Sequence, residues 1–186
     1  MRKQMKYMVG DFETTVYEGQ TFTEVWASAV VELGTEEVKI HHSIRETYNY
    51  LYNLKQNICI YYHNLKFDGS FWLSFLLTDL KYEQKLYVNP NNDSDVHFLK
   101  EKDLTPKSFV YSISDMGQWY SILIRTPYAL IEIRDSLKLL PFSVEQIGKS
   151  FDTKHRKLEM EYTGLRYAGC PITDDEKRYI ANDVLV

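Results

Sequence analysis

Near its start the chain reads Tyr7-Met-Val-Gly-Asp-Phe-Glu-Thr-Thr15, an apolar run that ends in acidic residues. Its β-prone composition predicts a strand over 7–15. Residues two apart in a strand lie on the same face, so Asp11 and Glu13 should project together from the end of this strand. Neighbouring carboxylates resist ionisation, and a divalent cation that prefers oxygen ligands removes that penalty. The run therefore predicts the first strand of a sheet and part of a metal site.

The rest of the chain predicts an α/β domain with a mixed sheet flanked by helices. Further strands are expected over 23–33, 38–42, 57–62, 109–114, 120–124 and 129–134. A helix is expected over 68–77, beginning at Asp68. The polar segment 87–107 predicts an exposed loop or an extended hairpin. Capping patterns predict three more helix starts, at Ser43 with Glu46, Ser143 with Gln146, and Thr173 with Glu176.

Composition sets limits on the class of protein. A chain of 186 residues suits one domain with a full core. The net charge of −4 argues against a domain that holds duplex DNA mainly through its phosphates. It does not exclude a nuclease, because bound metal ions supply positive charge where phosphate sits. Cys59 and Cys170 form no CxxC pair, which disfavours zinc and a disulfide framework and favours a reducing, intracellular location.

Two further acidic patterns extend the expected metal site. Asp68 follows a predicted buried strand, and Asp183 lies four residues after Tyr179, on the same face of the last predicted helix. Each pattern alone is common in a chain with 26 acidic residues, and its ordinary interpretation is a solvated surface. Their order along the chain indicates instead that Asp11, Glu13, Asp68 and Asp183 form one site for Mg²⁺ or Mn²⁺.

These patterns resemble those of the exonuclease domain of protein-primed family B DNA polymerases, the type made by phi29-like phages. That domain belongs to the DEDDy exonucleases of the ribonuclease H-like fold. Its three motifs resemble Asp11-Phe-Glu-Thr-Thr15, Tyr61-Tyr-His-Asn-Leu-Lys-Phe-Asp-Gly69 and Tyr179-Ile-Ala-Asn-Asp183. Two companion stretches, 116–120 and 135–142, are also similar to the family. The resemblance covers nearly the whole chain, and the HNLKFDG string is highly specific.

The resemblance implies a 3′→5′ proofreading exonuclease in which the four acids hold two Mg²⁺ or Mn²⁺ ions. Tyr179 would help to aim the attacking water, and Lys157 would stand near the scissile phosphate. Nine residues would contact the single-stranded 3′ end: Thr14, Tyr61, His63, Asn64, Phe67, Phe71, Ser136, Leu137 and Tyr162. The chain departs from the family pattern in a longer 87–107 segment and in Glu159, where the family carries Asp. The roles of Glu159 and Glu161 are therefore open.

We expect residues 1–186 to form the exonuclease domain at the N-terminal end of a larger DNA polymerase, because the last predicted helix runs into Val186 without a terminating residue. Expected partners are a single-stranded DNA 3′ end, the polymerase portion of the parent chain and, as a further candidate, a terminal priming protein. No membrane association is expected, and the expected location is the cytoplasm of a bacterial cell or phage-infected host.

Two alternatives to a DNA exonuclease stay open at this point. One is a DEDDy exoribonuclease, because the sequence reveals no sensor for the 2′-OH that distinguishes RNA from DNA. The other is a non-catalytic module that binds single strands or a priming protein.

Overall fold

A computed structural model describes residues 4–15, 17–85, 87–89, 92–97, 101–162 and 164–186. The strands are β1 Lys6–Thr14, β2 Val25–Glu32, β3 Lys39–His41, β4 Ile58–Tyr62, β5 Glu83–Gln84, β6 Tyr87–Asn89, β7 Asn92–His97, β8 Ser108–Ile113, β9 Trp119–Arg125 and β10 Leu130–Asp135. The helices are α1 Ile44–Asn53, α2 Leu65–Ser74, α3 Val144–Ser150 and α4 Asp174–Leu185. A π-helical turn, Phe75–Asp79, continues α2, and 3₁₀ turns lie at Glu101–Asp103 and Ser136–Lys138.

Eight strands form one mixed sheet in the order β3-β2-β1-β4-β10-β9-β8-β5. The central strands β1, β4 and β10 are parallel to one another, whereas β2 pairs antiparallel with β1, and β9 pairs antiparallel with β10. The predicted α/β fold with a mixed sheet is thereby confirmed. Because β1, β4 and β10 run in the same direction, their carboxyl ends meet at one edge of the sheet, where ligands bind in open α/β sheets.

The two faces of the sheet carry different helices. On one face, α1 and α2 cover a core that includes Met8, Phe12, Ile60, Trp72 and Ile133. On the other, α4 packs over β1, β2 and β3 around Trp26, Ala29, Ile180 and Val184. Alternation along β1 therefore directs Asp11 and Glu13 to the side that α4 covers.

Helices begin at all three positions that the capping patterns predicted, and the full capping box forms at two of them. Complete capping boxes open α3 at Ser143 and α4 at Thr173. At α1, Ser43 accepts the Glu46 N–H as predicted, but the Glu46 carboxylate accepts from His42 N–H instead of closing the box. The pattern therefore identifies the helix start even where only half of the box forms.

The predicted start of α2 was wrong by three residues. The helix begins at Leu65, after Asn64 takes a left-handed conformation with φ 64° that turns the chain sharply at the end of β4. Leu65, Asp68 and Trp72 are all buried in the resulting helix. Asp68 consequently lies in the first turn of α2 and faces the protein.

The polar segment contains a hairpin. β6 and β7 pair antiparallel, with Tyr87 opposite His97 and Val88 opposite Val96, as the extended-hairpin alternative predicted. The structure does not describe the side chains at 87–89, 92–97 and 101, so the predicted exposure of this segment stays a prediction. Elsewhere, Cys59 and Cys170 are buried free thiols. No helix within the described ranges is long and apolar enough to cross a membrane.

Gly69 lets α2 approach the sheet closely. A Cβ atom at Gly69 would lie 2.7 Å from Cζ3 of the Trp119 ring, a distance that real Cβ contacts essentially never show. Trp119 opens β9, so this contact joins the HNLKFDG segment to the companion stretch 116–120. It also fixes the residue next to Asp68.

We predict that Gly69→Ala lowers the free energy of unfolding by about 1–3 kcal/mol, the usual cost of overpacking a well-packed site. Urea denaturation measures the change. The control is the double variant Gly69→Ala with Trp119→Leu, whose loss should be smaller than the sum of the two single losses because the clash is gone. Additive losses would contradict the proposed contact.

Candidate active site

Three carboxylates from two elements meet beside the carboxyl end of β1. Oxygens of Asp11 and Glu13 on β1 and of Asp183 on α4 all lie within 4.8 Å of one another. Asp68, in the first turn of α2, is 3% exposed, and the charges of Asp11 and Glu13 contribute to raising its pKa. The structure therefore brings three of the four predicted acids into one group, and Asp68 lies outside that group but near enough for Asp11 and Glu13 to raise its pKa.

Burial and mutual repulsion make these acids hard to ionise. Asp11 and Glu13 are partly exposed as whole residues, yet the protein surrounds their carboxyl groups. Burial raises the pKa of Asp11 to about 6, and Asp183 adds to the rise. Burial, followed by the charge of Asp11, raises the pKa of both Glu13 and Asp68 to about 8. A bound cation would lower these pKa values, because a nearby opposite charge favours the ionised form of a carboxyl group.

The available oxygens fit a divalent metal ion. Lys157 Nζ lies 2.8 Å from Asp183 Oδ2, while Asp183 Oδ1 is buried without a hydrogen-bond partner among the described residues. Asp68 Oδ1 is likewise buried and has no hydrogen-bond partner among the described residues. An all-carboxylate set suits hard cations such as Mg²⁺ and Mn²⁺. Buried carboxylate oxygens that lack a hydrogen-bond partner in the protein are available as ligands for a metal ion.

Aromatic rings form one wall of the site. Tyr162 packs edge-on against Tyr179, with ring centroids 5.9 Å apart, and against Trp26 at 4.9 Å. The Tyr162 hydroxyl lies beside the Glu13 carboxyl and lowers its pKa, although it does not reach hydrogen-bond geometry. Burial, together with the charge of Asp183, raises the pKa of Tyr179, so this phenol stays protonated near neutral pH. Lys157 Nζ stands 5.7 Å from the centre of the Tyr179 ring.

Asp135, to which the sequence analysis assigned no role, links two of the segments that were predicted to contact the DNA strand. It is buried at the end of β10, and its Oδ1 accepts the N–H groups of Asn64 at 3.1 Å and Leu137 at 2.9 Å. The one available signal was its position at the start of the family-like stretch 135–142. Asp135 therefore holds the left-handed turn before α2 against the 3₁₀ turn after β10.

His63 makes a second link between the same segments. Its Nδ1 lies 3.1 Å from Ser136 Oγ, and its Nε2 lies 2.8 Å from the Phe142 carbonyl oxygen. Both ring nitrogens therefore have partners inside the protein. This geometry supports a role for His63 in holding Ser136 in place.

The remaining predicted contacts lie in three places. Thr14 is half-buried at the end of β1, next to Glu13. On α2, Phe67 is 48% exposed and packs edge-on against Phe71, which also contacts the core. Tyr61 lines a cavity with residues of β9 and β10, and none of the four predicted acids lines that cavity.

The question left open for Glu159 and Glu161 has a structural answer in part. Both residues are exposed, and neither belongs to the carboxylate group found in the described part of the chain. The histidines whose side chains the structure describes likewise contribute no ligand to that group.

Comparison with known proteins gives the family. Residues 50–185 match the family described as DNA polymerase type B, organellar and viral. The chain belongs to this family. It is 34% identical over 182 residues to the DNA polymerase of Bacillus phage phi29, covering 95% of this chain and 28% of that protein. The DNA polymerase of Streptococcus phage Cp-1 is 34% identical over 158 residues, covering 78% of this chain and 23% of that protein.

Solved structures of this polymerase family agree with the fold. The structure of phi29 DNA polymerase complexed with single-stranded DNA has a TM-score of 0.76 and 31% identity, covering 96% of this chain and 29% of that chain. An orthorhombic crystal form of the same polymerase has a TM-score of 0.78 and 30% identity, covering 98% of this chain and 29% of that chain. The predicted resemblance to phi29-like polymerases and the predicted fold are confirmed. The chain spans less than a third of these relatives.

The raised pKa values predict how stability depends on pH. The pKa of Asp68 rises from 3.8 to about 8 on folding, so its neutral form favours the fold. The stabilisation is complete below pH 3.8 and is lost as the pH rises through about 8. We therefore expect the melting temperature of the metal-free protein to fall between pH 5 and pH 9, and Mn²⁺ to reverse the fall at pH 8.

Asp68→Asn should raise the metal-free melting temperature at pH 8, because it removes a carboxyl group whose ionised form is disfavoured by burial and by repulsion from Asp11. The rise should be about 2–4 °C for each kcal/mol of stability gained. Differential scanning calorimetry at pH 5 and pH 8 measures the change. Asp115→Asn, at an exposed turn aspartate, is the matched control and should leave the melting temperature unchanged. Equal effects of the two substitutions would contradict the predicted repulsion.

Proposed function

We propose that the chain is the 3′→5′ exonuclease domain of a DNA-directed DNA polymerase. It would hydrolyse single-stranded DNA from the 3′ end and release 5′-mononucleotides. The observation that carries the proposal is the convergence of Asp11, Glu13 and Asp183 within 4.8 Å. Asp68 is buried and lies near enough for Asp11 and Glu13 to raise its pKa. Family membership supports it, because the relatives are named DNA polymerases and one solved relative is complexed with single-stranded DNA.

The four acids would hold two Mg²⁺ or Mn²⁺ ions. Such ions, when bound, lower the pKa of water to give a nucleophile near neutral pH and stabilise the leaving oxygen. The protonated Tyr179 hydroxyl would orient the attacking water by hydrogen bonding. Lys157, already at the edge of the carboxylate group, would offset the negative charge that develops on the phosphate.

The strand would run along the surface formed by the turns around Asn64 and Ser136. Asn64 is exposed and offers an amide for hydrogen bonding, and the exposed ring of Phe67 offers a stacking surface for a base. Thr14 and Tyr162 would contact the terminal nucleotide from the side of Glu13. The other proposed contacts are Tyr61, His63, Phe71, Ser136 and Leu137.

The rest of the parent protein also belongs to the proposal. The polymerase portion of the parent chain would deliver the frayed strand, a terminal priming protein is a candidate partner, and the site of action would be a bacterial cell or an infected host. The clustering of Asp11, Glu13 and Asp183 favours a catalytic domain over a binding module. The choice between DNA and RNA as substrate is left to the direct test.

The direct test is incubation with a 5′-labelled single-stranded oligonucleotide and Mn²⁺. We expect metal-dependent laddering from the 3′ end with DNA, and much less with RNA of the same sequence. The double variant Asp11→Ala with Asp183→Ala should abolish the ladder, because it removes two of the proposed ligands. Glu161→Gln, outside the carboxylate group, is the control and should cleave normally. A ladder that survives the double variant would overturn the enzymatic proposal.

The proposed stacking role of Phe67 has its own test. Phe67→Ala should weaken binding of single-stranded DNA by about 1–3 kcal/mol, the usual contribution of one base–aromatic stack. Fluorescence anisotropy with Ca²⁺ in place of Mn²⁺ measures affinity without cleavage. Phe151→Ala, at another exposed phenylalanine to which no role is assigned, is the control. Equal losses for the two variants would exclude a specific stack at Phe67.

A further inference from the structure

A line of aromatic rings and cations joins the wall of the site to the core beneath α4. The Arg166 guanidinium carbon lies 5.2 Å from the centre of the Trp26 ring, and the Trp26 and Tyr162 ring centroids are 4.9 Å apart at 84°. Tyr162 meets Tyr179 at 85°, and Lys157 stands over the Tyr179 ring. The last three residues already have roles in the proposed function, whereas Trp26 and Arg166 have none.

The Arg166 end of this line is anchored inside the protein. Arg166 forms an ion pair with Glu176, and only 17% of the Arg166 side chain and 7% of the Glu176 side chain are exposed. Glu176 also accepts the Thr173 N–H in the capping box that opens α4. A cation is attracted to the face of an indole ring, and the attraction grows when water is excluded. Arg166 thereby ties the start of α4 to the Trp26 ring.

Trp26 in turn is a rigid support for Tyr162. Trp26 is 0% exposed and belongs to the core cluster that also contains Ala27, Ala29 and Ile180. The Tyr162 hydroxyl is buried without a hydrogen-bond partner among the described residues, so the orientation of its ring depends on packing. Trp26 is the nearer of the two rings described in contact with it. Perpendicular aromatic pairs attract each other edge to face, which favours an angle as well as a distance.

Tyr179 connects this packing to the carboxylate group. It lies on α4 four residues before Asp183, and its ring contacts both Tyr162 and Lys157. Lys157 Nζ also lies 2.8 Å from Asp183 Oδ2. The orientation of Tyr162 therefore bears on Tyr179, the residue proposed to aim the attacking water. Misplacement of such a group by about 1 Å can lower a rate about 100-fold.

We propose that Trp26 and Arg166 are positioning residues for the hydrolysis. Arg166 holds the Trp26 ring, and Trp26 holds the Tyr162 ring. Tyr162 then sets the orientation of the Tyr179 hydroxyl. The proposal rests on the proposed function, since it takes Tyr179 as the residue that orients the water. Trp26 thus has a role beyond filling the core, and Arg166 has a role beyond the ion pair at the start of α4.

The test is Arg166→Met, which removes the cation and keeps an unbranched apolar side chain. We expect the rate of cleavage of saturating 5′-labelled single-stranded DNA with Mn²⁺ to fall about 10–100-fold. Mn²⁺ affinity, measured by electron paramagnetic resonance titration, should stay unchanged, because the carboxylates proposed to bind the metal are not altered. Arg166→Lys keeps a cation at this position and should restore part of the rate.

Arg45→Met is the matched control. The Arg45 guanidinium carbon also lies 5.2 Å from the centre of an aromatic ring, that of Phe75, and Arg45 also forms an ion pair, with Asp79. Phe75 belongs to the core on the opposite face of the sheet. Loss of this contact should therefore leave the cleavage rate unchanged.

A double variant tests whether Arg166 acts through Tyr162. Tyr162→Leu alone should lower the cleavage rate, and adding Arg166→Met should lower it little further, because the effects of residues that act as a unit do not multiply. If Arg166→Met does not fold, Trp26→Phe takes its place in the same comparison, and a fall in rate with unchanged Mn²⁺ affinity is expected of it.

Four results would overturn the role of Trp26 and Arg166 while the proposed function stands, since the wild-type protein cleaves DNA in each. They are a wild-type rate for Arg166→Met, an equal loss for Arg45→Met, losses that multiply in the double variant, and a fall in Mn²⁺ affinity that matches the fall in rate. The last result would mean that Arg166 acts by holding α4. If the wild-type protein cleaves no DNA, the proposed function itself fails, and this proposal fails with it.

Discussion

The repulsion among buried carboxylates is the constraint on which the rest of this structure depends. Asp11, Glu13, Asp68 and Asp183 come from β1, α2 and α4, and burial raises the pKa values of the first three. A fold that gathers such groups loses stability near neutral pH, unless a cation compensates. The buried acids thus lower the stability of the fold at the sheet edge where the central parallel strands end. This is the pattern expected of a site built for chemistry.

Close packing keeps the acids in place against that repulsion. Gly10 allows Tyr62 to lie directly under β1, and Gly69 allows Trp119 to lie against α2. On the other side of the sheet, α4 rests on the aromatic and small side chains of β2. These close contacts between rigid rings and the backbone hold the strands and helices in fixed relative positions. The geometry of the acids is therefore set by contacts that lie one layer below them.

Charge distribution separates the chemistry of the site from its hold on nucleic acid. The chain carries a net charge of −4, and Lys157 forms an ion pair with Asp183 of the carboxylate group. Backbone phosphates would thus meet a weakly attractive surface, apart from charge supplied by metal ions. The chain spans about 28% of the length of the phage polymerases it matches. We therefore propose that both this chain and the polymerase portion of the parent protein contact the single-stranded DNA.

Local sequence predicted the longer strands, the helix caps and the three acids that meet at β1 and α4, because side-chain alternation and capping act over a few residues. It did not determine the start of α2, where a left-handed Asn64 allows the helix to begin three residues before Asp68. Nor did it reveal Asp135, whose partner Asn64 is distant in sequence and becomes adjacent only after the sheet forms. Which residues surround the acids, and hence their pKa values, was decided by tertiary packing, because desolvation depends on every atom nearby, whatever its position in the chain.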